Sequence, residues 1–317
     1  MFKTKFIITV DTEADNQWAR PSGEKVDNIY LLPRFQELCQ RFGLPPTYLV
    51  TYEVAADSRS VSLLRSFQDE GAEIGAHLHP WTTPPFILDR DYERIAHRFP
   101  HELSDSELKD KVAALTQIVA KNFGQPVSFR AGRWGFDDRV AKEIVRQGYL
   151  IDCSVTPKIS WRTTRGDPNK EGGPDYSRES LYPYDREGIL EVPLTVVSTN
   201  LLIKENGLFL KLYNQWLEGF IKRVFNKLIF RIRPLRIFPE TTKRDLESIV
   251  KSAIHNKLPV IQFMIHSSEL MPGGSKYAKT TDDVDRTYQK LEDLFSFVVE
   301  KGIEGVTLKE YRQKSSD

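Results

Sequence analysis

Two histidines stand two positions apart in the stretch EIGAHLHPW, where His77 and His79 follow a short apolar run and precede a proline. The chain holds only 6 histidines in 317 residues, so their placement needs an explanation. They are either surface polar residues near a loop or a pair of metal ligands at the end of a strand. Which interpretation holds depends on what else the chain can bring to the same place.

Other chemically able residues also follow short apolar runs: Asp11 and Glu13 near the N-terminus, Arg130, Asp152 and His266. One carboxylate and two imidazoles around one point suit Zn²⁺ or a similar divalent ion, with a position left open for water. The ion would lower the pKa of that water and polarise a carbonyl group. A second carboxylate could take the proton, an arginine could keep that carboxylate ionised, and a remote histidine could protonate the leaving group. Such a set would hydrolyse an amide or an ester.

Apolar runs typical of strands alternate with helical patterns along the chain. The predicted strands cover residues 5–10, 47–52, 72–76, 127–130, 150–155, 189–195, 259–265 and 303–307. The predicted helices cover residues 33–41, 58–69, 105–124 after a capping box that starts at Ser104, 137–147, 241–256 and 281–301. This alternation predicts an α/β fold, a distorted barrel of seven or eight (β/α) units rather than an open sheet. In such barrels the active site forms at the C-terminal ends of the strands, where the residues above are placed.

The whole chain, residues 1–317, is predicted to form a single domain, with a surface excursion near 158–188 that is rich in glycine, proline and charge. Hydrophobic residues at 40% and charged residues at 28% predict a packed core. A net charge of +1 gives no overall field for binding nucleic acid. Cys39 and Cys153 are too few for a disulfide framework or a four-thiolate zinc site.

We predict a cytoplasmic protein, because the first apolar run is shorter than the ~7–15 residues of a secretory signal and no run approaches the ~18 of a membrane span. Residues 208–236 combine hydrophobic side chains at helical spacing with seven Lys or Arg residues and one acid, Glu218. This basic amphipathic segment could lie on an anionic membrane surface, which would suit a lipid-linked glycan. Alternatively, it packs on the barrel and exposes a solvated basic face.

Four motifs resemble those of the polysaccharide deacetylases with the NodB homology domain, carbohydrate esterase family 4. The resemblance runs from residue 7 to about 275, and is closest to a divergent subgroup without adjacent aspartates. ITVDTEAD (8–15) is similar to the first motif of the family and FRAGRWG (129–135) to the arginine motif. FMIHSSELMPGG (263–274) is similar to the last motif, and EIGAHLHPW to the histidine motif, with two residues fewer between the histidines than is usual.

The resemblance implies a role for each matched residue. Asp11 would be the base, Arg130 its partner and His266 the general acid, while the metal ligands would be Glu13, His77 and His79. Glu13 stands one position beyond the expected aspartate, so its longer side chain could compensate, or Asp11 could itself bind the metal. Asp152 is our candidate for the aspartate that pairs with the late histidine, near the substrate. An aromatic wall for the sugar could come from Trp81, Trp134 and Trp18, unless these rings only pack.

By this resemblance the protein would use Zn²⁺, or Co²⁺ or Ni²⁺, to remove an N- or O-linked acetyl group from an amino sugar or glycan intermediate. Two alternatives remain: hydrolysis of a cyclic amide of the allantoin or imide type on the same fold, and a non-catalytic carbohydrate-binding relative. Acetate release separates the first alternative from a deacetylase, and metal content with turnover separates the second. The sugar, its linkage, the metal and the oligomeric state stay open.

Overall fold

The computed structural model describes residues 3–17, 25–86, 97–200 and 231–314. Within these ranges the strands are β1 Lys5–Thr12, β2 Pro46–Val50, β3 Glu73–Leu78, β4 Ser128–Ala131, β5 Ile151–Asp152, β6 Tyr184–Arg186, β7 Ile189–Glu191, β8 Val196–Ser198, β9 Ile232–Pro234, β10 Val260–His266 and β11 Glu304–Gly305. The α-helices in the same ranges are α1 Pro33–Phe42, α2 Tyr52–Ala56, α3 Ser58–Asp69, α4 Asp105–Phe123, α5 Asp138–Arg146, α6 Lys243–His255, α7 Thr281–Glu300 and α8 Leu308–Lys314.

The main sheet consists of parallel strands in the order β10, β1, β2, β3, β4, β5, β7. At one edge β6 adds antiparallel to β7, and β11 pairs with the beginning of β1. The sheet curls into a half-barrel, which confirms the predicted distorted (β/α) barrel. The pairings among the described strands do not close it between β10 and β6.

The strand predicted at residues 189–195 is confirmed only over its first three residues, because β7 covers Ile189–Glu191 and residues 192–195 form no strand. β7 ends at Glu191, and β8 begins at Val196 and pairs antiparallel with β9 in a second sheet. Pro193 lies between them and has no N–H group to donate to a sheet ladder. The continuous apolar pattern therefore hides a break that the proline enforces.

The two faces of β1 pack against different cores. Phe6, Ile8 and Val10 belong to the large core that includes buried side chains of the surrounding helices. Ile7 faces the other way, into a smaller cluster inside the curl that also includes Leu49, Ile151, Val260 and, from α8, Leu308 and Tyr311. Side chains alternate between the two faces of a strand, so Asp11 shares the inner face of Ile7. The apolar cluster thus fills one end of the half-barrel and leaves polar groups at the other end.

Side-chain caps define several helix ends. In the capping box of α4 the Ser104 hydroxyl accepts from the Glu107 N–H, and Glu107 Oε2 accepts from the Ser104 N–H at 2.9 Å. Asp57 caps α3 by accepting from the Ser60 N–H at 2.7 Å, and α1 ends at Gly43, whose φ of 63° is readily adopted only without a side chain. These signals are present in the sequence, and the predicted limits of these helices agree closely with the structure.

Trp18 and residues 208–230 of the predicted basic amphipathic segment lie outside the described residues. The rest of that segment, residues 231–236, includes β9. None of the helices in the described part of the chain combines the length and the apolar content needed to cross a bilayer.

Candidate metal centre and active site

A buried ion pair joins β1 to β4. The guanidinium group of Arg130, fully buried, donates from Nη1 to Asp11 Oδ1, from Nη2 to Thr9 Oγ1 at 2.9 Å and from Nε to the Cys153 carbonyl at 3.0 Å. Burial opposes ionisation of Asp11, but Arg130, together with His77 and His266, outweighs it and lowers the pKa of this carboxyl group. Asp11 is therefore held as a carboxylate, with Oδ1 occupied by Arg130.

Glu13, His77 and His79 converge on one point at the C-terminal ends of β1 and β3. One ligand atom from each lies within 4.8 Å of the others, and all three side chains are buried. Glu13 Oε2 is 3.5 Å from His79 Nε2 and 3.9 Å from His77 Nε2. Ligands about 2.0–2.1 Å from a tetrahedral zinc ion would be about 3.4 Å apart, so these separations are close to those of a zinc site.

The protonation of His77 is determined by its backbone contact. Its Nδ1 lies 3.0 Å from the Arg130 carbonyl oxygen, which can only accept, so Nδ1 carries the hydrogen and Nε2 keeps its lone pair. Burial lowers the pKa of His77, and it lowers that of His79 well below its usual value. Both imidazoles are therefore neutral, the form that binds metal ions.

The ring of His79 is held from two sides. It stacks on Trp81 with the ring centroids 4.2 Å apart, and Trp81 in turn donates from Nε1 to Gln17 Oε1 at 3.1 Å. Directly after β4, Gly132 is so close that a Cβ atom there would lie 2.5 Å from His79 Cδ2. Trp81, predicted to contact substrate, is buried and does not line the cavity described below. In the structure it contacts His79, Gln17 and His97.

A buried acceptor at this point indicates that the residues fit a cation. Glu13 Oε2 is buried and has no hydrogen-bond partner among the described residues. Burial, with added repulsion from Asp11, raises the pKa of Glu13 to about 8. An unsatisfied buried carboxylate oxygen is costly, and a divalent ion beside it would remove that cost. The donor set of one carboxylate and two neutral imidazoles is one that zinc binds.

His266 ends β10 on the other side of Asp11. Its Nε2 is 3.8 Å from Asp11 Oδ2, and its Nδ1 is 3.0 Å from Glu269 Oε1, which also accepts from Arg236 at 2.9 Å. Burial disfavours the charged form of His266, but Glu13 and Glu269 outweigh it and raise its pKa. The structure thus places a readily protonated imidazole beside the carboxylate of Asp11.

The partner of His266 differs from the one we predicted: its Nδ1 contacts Glu269, and not Asp152. Asp152 is buried and does not line the cavity; it accepts from the Ser154 N–H and hydroxyl at 2.8 Å each and is the register partner of Glu191. Sequence reasoning missed Glu269 and its partner Arg236. The sequence HSSE (266–269) does point to Glu269. Its carboxylate accepts from the His266 N–H three positions earlier, as in a capping box. No comparable signal points to Arg236.

A cavity of about 410 Å³ opens above these groups. Trp134 lines it and stacks with Trp161 at a centroid distance of 6.5 Å, and Tyr277 also borders it. Arg133 and Trp134 have φ values of 54° and 66°, two consecutive side chains in the left-handed region. Such strain costs of order 1–3 kcal/mol per residue and is concentrated at functional sites. The cavity has the size of a small-molecule pocket.

No protein-family model and no curated protein matches the sequence. Among solved structures, a protein described as a polysaccharide deacetylase from Mycobacterium smegmatis has a TM-score of 0.54 at 14% identity, over 99% of this chain and 91% of that chain. A 4-α-glucanotransferase from Thermococcus litoralis has a TM-score of 0.52 at 11% identity, over 99% of this chain and 41% of that chain. The fold is thus shared with proteins of two different activities, so function has to be argued from the site.

Proposed function

We propose that this chain, which has the fold of the polysaccharide deacetylases, is a metal-dependent hydrolase that removes an acetyl group from an amino sugar or glycan. One observation carries the proposal: Asp11, ion-paired to Arg130, lies between the Glu13–His77–His79 group and His266. A carboxylate base, a three-ligand metal site and a protonated imidazole are the groups that hydrolysis of an amide or ester needs.

Glu13, His77 and His79 would hold the ion. When bound, a divalent ion would lower the pKa of a water molecule, and its positive charge would polarise the acetyl carbonyl. The Nδ1 contact of His77 with the Arg130 carbonyl and the stacking of His79 on Trp81 orient the two imidazoles before any ion arrives. Asp11, two positions before Glu13, lies beside this group, with Oδ2 3.7 Å from His77 Nε2.

Asp11 is the proposed base. Arg130 occupies Oδ1 and stabilises the ionised form, which leaves Oδ2 facing His77 Nε2 at 3.7 Å and His266 Nε2 at 3.8 Å. From this position Oδ2 accepts a proton from the attacking water, whose oxygen forms a bond to the acetyl carbon. Because Arg130 is fully buried and bonded to three acceptors, the orientation of Asp11 does not depend on substrate.

His266 is the proposed acid. Glu269 accepts from Nδ1 and favours the imidazolium, so Nε2–H can donate its proton to the leaving nitrogen or oxygen of the sugar as its bond to the acetyl carbon breaks. The products are acetate and the free amine or hydroxyl of the sugar. The water proton is then on Asp11 and the imidazole is neutral, and proton exchange with solvent restores both.

The proposal is tested with purified protein stripped of metal and reloaded with Zn²⁺, Co²⁺ or Ni²⁺. Acetate and deacetylated product should form in equal amounts from one or more members of a panel of N- and O-acetylated amino sugars, and the stripped protein should form neither. Ring opening of allantoin or a cyclic imide without acetate release would instead identify a cyclic-amide hydrolase. Sugar binding with neither reaction would identify a carbohydrate-binding relative.

A further inference from the structure

The described residues that line the cavity carry more positive than negative charge. The acids among them are three, Asp11, Glu13 and Glu269, and the basic residues are four, Arg130, Arg133, Arg236 and Lys276. A divalent ion on Glu13, His77 and His79 would increase the excess. An excess of one sign of charge in a cleft attracts ligands of the opposite sign.

Most of the charged groups are matched in pairs, but Lys276 is not. Asp11 is bonded to Arg130, and Glu269 to Arg236. Lys276 is exposed at the cavity wall, and in the described part of the chain no carboxylate lies within ion-pair distance of its ammonium group. Its charge is therefore available to a ligand.

Lys276 and Arg236 lie on either side of one aromatic pair. The Lys276 ammonium is 4.9 Å from the ring centroid of Tyr277, which meets Phe238 edge-on at 5.7 Å, and the guanidinium carbon of Arg236 is 5.2 Å from the Phe238 ring. Arg236 is mostly buried, and its Nε has no hydrogen-bond partner among the described residues. This wall thus presents an exposed ammonium at the mouth and an incompletely bonded guanidinium group deeper in.

We infer that the acetylated sugar is acidic, with a carboxylate or phosphate group that binds along this wall to Lys276 and within reach of Arg236. The inference rests on the proposed function and specifies its substrate class. Oxygens of either group accept charge-assisted hydrogen bonds from ammonium and guanidinium groups. A neutral sugar of the same size would leave the charge of Lys276 uncompensated by any ligand.

The test compares three matched sugars by isothermal titration calorimetry on the zinc-loaded protein. N-acetylglucosamine is neutral, N-acetylmuramic acid adds a carboxylate, and N-acetylglucosamine 6-phosphate adds a phosphate. At least one acidic sugar should bind about tenfold more tightly than the neutral one, and its identity distinguishes carboxylate from phosphate. The preference should shrink when sodium chloride rises from about 50 to 500 mM, since salt screens an exposed charge.

Because the acidic group of the sugar could also bind zinc, a variant is needed to show that the preference depends on Lys276. Lys276→Gln should weaken binding of the preferred acidic sugar about three- to tenfold and leave both the zinc content and the affinity for N-acetylglucosamine unchanged. Lys279→Gln is the matched control, since Lys279 is also exposed, lies three positions further on and does not line the cavity. The control should bind like the wild type.

Equal affinities for the three sugars, including no detectable binding of any, would overturn the inference, as would an unchanged preference in Lys276→Gln or an equal loss in Lys279→Gln. Failure of the inference and failure of the proposed function remain distinguishable, because affinity and acetate release are two separate measurements. Acetate release from neutral sugars without acid preference removes only the inference. An acid preference carried by Lys276 without acetate release from any sugar removes only the proposed reaction.

Discussion

His266 faces Asp11 across the parallel strands β10 and β1, where the two residues are register partners and Nε2 lies 3.8 Å from Oδ2. Each side chain is held from behind, Asp11 by Arg130 and His266 by Glu269. Both groups therefore present one free polar atom to the same gap. An acetyl group that reacts in that gap would therefore lie next to both the proposed base and the proposed acid.

Asp11→Asn should retain zinc and lose turnover by on the order of 10²–10⁴, because the amide keeps the shape of the carboxylate but cannot accept a proton as a base. His266→Ala should show a loss of the same order. Acetate-release kinetics and elemental analysis on the same samples check both expectations. Zinc loss in Asp11→Asn would make Asp11 a ligand, and turnover comparable to wild type in either variant would remove that residue from the mechanism.

Glu269→Gln should shift the alkaline limb of the kcat–pH profile to lower pH. Glu269 raises the pKa of His266, and the proposed acid is the protonated form of His266, so activity should be lost as pH rises through that pKa. Without the carboxylate the imidazole loses its proton at lower pH. Arg236→Gln should move the same limb to higher pH, since Arg236 lowers the pKa of His266. A uniform loss of kcat at every pH, with no shift in either variant, would mean that both residues only support the structure.

His79→Ala should abolish zinc retention and leave the fold intact, because the ligands lie at the end of the strands and outside the apolar cores. Elemental analysis after dialysis and circular dichroism measure the two effects. His255→Ala is the control, since His255 is exposed on α6, away from the site. Equal zinc retention in His79→Ala and the control would show that the ion binds elsewhere.

Gly132→Ala should weaken zinc affinity by on the order of 10–100-fold, the range seen when residues that orient metal ligands are changed. The added methyl group would lie 2.5 Å from His79 Cδ2 and from the Leu78 carbonyl oxygen, so the imidazole has to move. A competitive chelator titration gives the affinity. The neighbouring Ala131→Gly removes a methyl group instead and should bind zinc like the wild type. Unchanged affinity in Gly132→Ala would mean that the position of His79 is not critical.

Glu107→Gln should destabilise the protein by about 1 kcal/mol at neutral pH, as expected for a weakened helix cap. Burial opposes ionisation of Glu107, but hydrogen bonds from Ser104 and Arg98 outweigh it and lower the pKa to about 2. This stability is fully present above the unfolded pKa of ~4.3 and is lost as pH falls through about 2. Urea unfolding at pH 7 and pH 3 should therefore show the larger difference at pH 7. Equal stability of variant and wild type at pH 7 would show that the Glu107 carboxylate does not stabilise the protein through this cap.

The strand ends that carry the candidate site could be predicted because β1, β3 and β10 are buried along almost their whole length. Such strands appear as continuous apolar runs, and the first polar residue after each run marks the rim. The partner of His266 could not be found this way. Asp152 has the right residue type, but β5 places it next to Glu191, and only the tertiary path of the chain brings Arg236 to Glu269.

Membrane contact of residues 208–236 stays a prediction, since most of that segment lies outside the described residues. Two of the seven basic residues of the segment, both in its described part, already pair with carboxylates of the protein. Arg236 bonds to Glu269, and Arg233 lies 3.6 Å from Asp245 of α6. Any attraction to anionic lipid would therefore depend mainly on the basic residues before residue 231.

Asp11 and Glu13, like His77 and His79, are separated by a single residue. This spacing determines which changes in length the protein can accept. Replacing Thr12 or Leu78 would alter packing. Deleting Thr12 would instead turn one member of the Asp11–Glu13 pair to the opposite face of the chain, and deleting Leu78 would do the same to the His77–His79 pair. We therefore expect insertions and deletions to be tolerated in the connections and not within 11–13 or 77–79. Deletion of Thr12 or Leu78 would keep every proposed site residue in the sequence and should still abolish the site.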